Sequence, residues 1–98
     1  MAGMDADLTE VRRAIDAIDA EVVQRLAARE RLVRRAAALK TDEQAVRAPA
    51  RVEEVIAKVR GLAVAAGGSP EVVERVYRAM IRAFIDLELA EHRDLADG

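Results

Sequence analysis

Between Met4 and Ala48 the chain holds neither proline nor glycine, and apolar residues recur through most of that run at steps of three and four. Leu8, Val11, Ile15, Ile18, Val22, Leu26, Val33 and Ala36 fall along one side of a helix. Asp5 or Asp7 is placed to cap its start, and acidic residues crowd the first turns, where the helix dipole favours them. A helix over about 7–40 is roughly 50 Å long at about 1.5 Å per residue. A compact domain of this size has a radius of gyration of only about 13 Å. The rest of the chain cannot cover such a helix by folding as one ball. The expectation is a long antiparallel dimer in which a second subunit covers part of each long helix.

The remaining sequence supplies two more helices. The stretch from Thr41 to Ala50, TDEQAVRAPA, is polar and reads as a loop ending at Pro49, a residue suited to the first turn of a helix. A second helix over about 49–66 carries Val52, Val55, Ile56, Val59, Leu62 and Ala66, and stops at Gly67-Gly68. Gly61 inside it costs about 1 kcal/mol relative to alanine. Ser69-Pro70-Glu71 opens a third helix, over about 70–92, with a cap, a proline and a first-turn acid. Its stripe is Val73, Val76, Tyr77, Met80, Ile81, Phe84 and Leu87, with Glu88 at the edge, and the tail HRDLADG is expected to fray. No strand signal, repeat or low-complexity segment interrupts this all-α reading. With 98 residues the chain makes a single domain, 1–98.

Composition narrows the function classes. A hydrophobic fraction of 52% with 35% charged residues excludes a disordered chain. A net charge of −2 and a single Tyr and Phe leave no basic patch or stacking platform for nucleic acid. There is no cysteine, so disulfides and thiol chemistry are excluded. The opening MAGMDADLTE lacks the basic and apolar regions of a secretory leader, and no apolar run reaches the ~20 residues of a membrane span. A soluble cytoplasmic protein is expected, without membrane partners.

The informative residues are cations that interrupt the apolar stripe. Arg29 and Lys40 lie eleven residues apart, which places them within about 20° of each other around the helix. Their Cα atoms are then roughly 16 Å apart along the axis, near enough for two long side chains to converge on a small anion. Arg12 is too far along the same helix, but in an antiparallel dimer the partner's Arg12 comes close to this subunit's Arg29. Taken singly, Arg29 or Lys40 can equally snorkel out of a helix interface. Arg34-Arg35 reads as a solvated face, Glu88 alone as a surface acid or the partner of a neighbouring cation, and His92, in the tail, is assigned no role. Periodicity alone supports a helical dimer with an internal cationic pocket.

The segment VRRAIDAIDAEVVQRLAARERLVRRAAALK goes further. It resembles the first helix of the all-helical chorismate mutase family: Arg12, then Ile15-Asp16 and Ile18-Asp19, then Arg29, then Lys40. The resemblance extends over about Leu8 to Glu91. It implies an intertwined homodimer of three-helix chains with two equal sites for a small dicarboxylate and no cofactor or metal. It also implies that each site borrows Arg12 across the interface, while Arg29, Lys40 and Arg51 come from the other subunit. Glu88 stands where the family usually has a glutamine. The cations then interrupt the stripe to meet the substrate's carboxylates.

Two features depart from the common bacterial mutases. Ala48 and Val52 occupy positions where those mutases carry acids that bind the substrate hydroxyl, and APARV resembles the loop of isochorismate-pyruvate lyases. Phe84 likewise replaces a small polar residue with the aromatic of the lyases. The resemblance therefore implies chorismate mutase first, then isochorismate-pyruvate lyase, then a mutase of 4-amino-4-deoxychorismate. A non-catalytic helical dimerisation module is the reading from another class. An activating partner enzyme stays open, because several small mutases are weak alone.

Overall fold

The computed structural model describes the backbone of residues 4–97 and the side chains of residues 7–94. Four helices follow one another: α1, Met4–Leu39; α2, Glu43–Arg47; α3, Pro49–Ala65; and α4, Pro70–Asp97. The described residues contain no strand, and the chain is all-α. Asp7 lies inside α1 rather than at its start, and the side chain of Asp5 is outside the described residues.

The chain divides into two compact units, 1–32 and 33–98. In the first, Leu8, Val11, Ile15, Ile18, Val22 and Leu26 are between 36% and 57% exposed. The apolar stripe that the periodicity drew is present on the helix and reaches solvent along its length.

In the second unit, α3 packs along α4, and α2 also lies against α4. The core is small and aliphatic: Ala37, Val46, Ile56, Val59, Ala63, Ile81 and Leu89. Each turn that builds it has a local cause. Asp42 caps α2 by accepting from the Ala45 N–H at 2.8 Å, and Glu43 follows in the first turn. The polar segment 41–50 is therefore not an open loop, because α2 forms inside it and Val46, 2% exposed, anchors it in the core. Ala48 links α2 to α3 with φ 36° and ψ 62°, the left-handed conformation that a Cβ disfavours. Pro49 then takes the first position of α3.

α3 ends in a Schellman turn. The Gly68 N–H donates to the Ala63 carbonyl at 2.8 Å and the Gly67 N–H to the Val64 carbonyl at 3.1 Å, with Gly67 at φ +79°. Ser69 caps α4 by accepting from the Val72 N–H at 3.2 Å. The helix does not fray at 92 but continues to Asp97. On the outer face, Arg78 grips Glu53 of α3 with two hydrogen bonds of 2.9 Å and Glu74 of α4 with one of 2.8 Å, while Arg60 also reaches Glu74.

Candidate active site

α1 ends at Leu39, and Lys40 is the first residue beyond it. Its backbone N–H still donates to the Ala37 carbonyl at 3.2 Å, which keeps the side chain close to the helix line. That side chain crosses to α4, where Nζ donates to Glu88 Oε2 at 2.7 Å. Glu88 is not an edge residue: at 6% exposed it is the one buried charged group among the described residues. A carboxylate so placed requires a cation, because burying it unpaired costs several kcal/mol. The Lys40 side chain keeps 27% of its surface exposed. One end of this pair is thus fixed in the core and the other faces outward. An ammonium has three N–H donors, and Glu88 accepts from one of them.

Next to this pair, His92 lies on α4 with its Nε2 at 3.0 Å from the Ala37 carbonyl. Arg34 forms an ion pair with Glu91 nearby, so the pair Arg34-Arg35 is not wholly a solvated face. His92 is the residue that sequence reasoning passed over. Its signal was the spacing of four from Glu88, which puts both on one face of α4.

The other expected site residues stand as follows. Phe84 is half-buried on α4, one turn before Glu88. Ala48 and Val52 are half-buried at the start of α3. Arg51, between them, extends over the surface to Glu54 at 2.6 Å, with 65% of its side chain exposed. Arg12 is exposed in the first unit and Arg29 half-buried there. Among the described residues no group of His, Asp and Glu is arranged to hold a metal ion, and no helix is long and apolar enough to cross a membrane.

A family model for chorismate mutase type II matches residues 11–89. The chain belongs to that family. Comparison with curated proteins gives no match. The matched range takes in Arg12, Arg29, Lys40, Arg51 and Glu88. Membership in the chorismate mutase type II family supports an isomerase acting on chorismate.

Proposed function

We propose that the chain forms a homodimer that converts chorismate to prephenate, with Lys40 as the donor to the breaking ether bond. The observation that carries this reading is the Lys40–Glu88 pair, a cation held by a buried acid at the end of α1. The [3,3] shift breaks one C–O bond and forms one C–C bond in a single unimolecular step. Six electrons move around a ring of six atoms, so no nucleophile is added and no electron is gained or lost. The protein must fold the enolpyruvyl arm over the ring and stabilise charge on the ether oxygen.

Arginine suits the first task, because its planar fork grips a carboxylate through two parallel hydrogen bonds. In this reading Arg29 and the partner subunit's Arg12 take the two carboxylates, and Arg51 turns from Glu54 to add a third anchor. Lys40 takes the second task with the N–H groups that Glu88 leaves unused. Glu88 holds the Lys40 ammonium in place for that donation. Phe84, Ala48 and Val52 line the ring side of the site. A rate gain of about 10⁶ needs about 8 kcal/mol off the barrier. One charged donor typically supplies about 3 to 4 kcal/mol of that.

Ala48 and Val52 favour a second reading. Neither side chain can hydrogen-bond a ring hydroxyl, which suits a site that eliminates pyruvate from isochorismate or that accepts an amino-substituted ring. Incubation with chorismate and with isochorismate, followed for prephenate and for salicylate plus pyruvate, tests both. Prephenate from chorismate alone supports the mutase. Turnover of neither, together with greater stability of Arg29→Leu and Lys40→Leu, would favour a non-catalytic dimer, since unpaired cations in an interface are costly.

A further inference from the structure

His92 closes the end of α1 from the side of α4. Its Nε2 faces the Ala37 carbonyl at 3.0 Å, and because a carbonyl only accepts, Nε2 must carry the proton. Ala37 is 1% exposed, so this acceptor lies at one of the most enclosed places in the chain. The same carbonyl takes the backbone N–H of Lys40 at 3.2 Å. The last carbonyls of a helix have no partner within it and must find one elsewhere. Here one of them is gripped twice, once by the peptide from which Lys40 springs and once by α4. One turn before His92 on the same face, Glu88 holds the far end of Lys40 at 2.7 Å. α4 thus secures Lys40 at both ends, at its root through His92 and at its tip through Glu88.

We infer that His92 is a positioning residue for Lys40, fixing the peptide from which the ammonium reaches the substrate; this rests on the mutase reading of the site. Lysine is a flexible four-carbon stem, and an anchor at its tip alone leaves its root free to shift with the end of α1. Misplacing a reacting group by about 1 Å costs up to about 100-fold in rate. The groups around His92 are Glu88 and Glu91 on α4 with Lys40 and Arg34 from the end of α1. The Arg34–Glu91 bridge joins the same two helix ends through a different pair of side chains. It separates positioning from mere attachment of α1 to α4.

The test uses the full chain with His92→Ala, His92→Gln, Arg34→Ala, Lys40→Met and the double variant Lys40→Met/His92→Ala. His92→Ala lowers kcat by about 10- to 100-fold while KM changes by less than about threefold. His92→Gln, whose amide N–H reaches the same carbonyl, recovers kcat to within about threefold. Arg34→Ala lowers Tm but leaves kcat within about twofold, and His92→Ala adds no further loss in the Lys40→Met background. Where His92→Ala does not fold, His92→Leu keeps the packing and removes the donor. Equal kcat losses in His92→Ala and Arg34→Ala, or the same loss with Lys40 already removed, would overturn the inference. A second arm needs no turnover: the NMR signal of the Lys40 ε-carbon, in the ligand-free chain, shifts in His92→Ala and returns in His92→Gln. An unchanged signal sinks the positioning role, whereas absence of wild-type turnover with a shifted signal sinks only the mutase reading.

Discussion

Glu88 keeps 6% of its surface in contact with solvent and spends one oxygen on Lys40. A glutamine at this place donates to an ether oxygen at any pH, but a glutamate donates only when protonated. Glu88→Gln should therefore raise kcat/KM for chorismate at neutral pH. Steady-state assays of both proteins at neutral pH check it, and equal kcat/KM values would remove Glu88 from the chemistry. The position of Glu88 on α4 was legible from helical spacing, but its burial was not. A stripe drawn from Phe84 and Leu87 puts Glu88 at its inward edge, and its depth of burial comes from tertiary packing that helical spacing does not carry. His92 was missed because the last seven residues, HRDLADG, hold only one large apolar side chain and read as a frayed tail. The structure continues α4 to Asp97 instead.

At the level of elements, boundaries follow from capping chemistry, and two glycines make that testable. Beyond the adjoining backbone, neither Gly61 nor Gly67 has an atom within 4 Å of where a Cβ would stand. The same substitution should nevertheless act with opposite sign. Gly61→Ala in the middle of α3 gains about 0.5–1 kcal/mol of helix propensity. Gly67→Ala must hold φ +79° with a Cβ and loses about 1 kcal/mol. Urea denaturation of the two variants measures both shifts. The Gly67-Gly68 stop and the Ser69-Pro70 start were legible in sequence because they are local devices. α2 was not, because its anchor is Val46 in the core, a contact made by the tertiary fold. The α3–α4 clamp adds a dependence on pH. Arg78 holds the carboxyls of Glu53 and Glu74 below their ordinary value of 4.5 through its hydrogen bonds, and Arg60 adds to this at Glu74. Depressed carboxyls contribute stability that is full above that value and is lost as pH falls through their lowered range. Tm should therefore drop on acidification below about pH 4.5, and drop less in Arg78→Met. The pair network is exposed, so added salt should weaken the difference.

For the whole molecule, the argument turns on how the exposed apolar stripe of α1 is covered. Leu8, Val11, Ile15, Ile18 and Val22 are each about half exposed, between 46% and 57%. A contiguous row of this kind marks an interaction surface rather than ordinary solvent exposure. In the twofold dimer proposed above, the same row from a second copy covers it, and an antiparallel arrangement also brings the partner subunit's Arg12 to the site that holds Lys40. Shared sites predict complementation between two dead enzymes. Arg12→Ala and Lys40→Ala homodimers each lack an essential cation in both sites. When they are unfolded together and refolded as a mixture, each mixed dimer contains one site missing both cations and one site missing neither. Random pairing makes about half of the dimers mixed, so the mixture should regain about a quarter of wild-type activity. If Arg12 and Lys40 served the same site from one subunit, every site in the mixture would lack one of them, and no activity would return. Refolding each variant alone gives the baseline. Sedimentation of the mixture confirms that dimers have formed, so an inactive mixture of proper dimers would rule out the borrowed arginine.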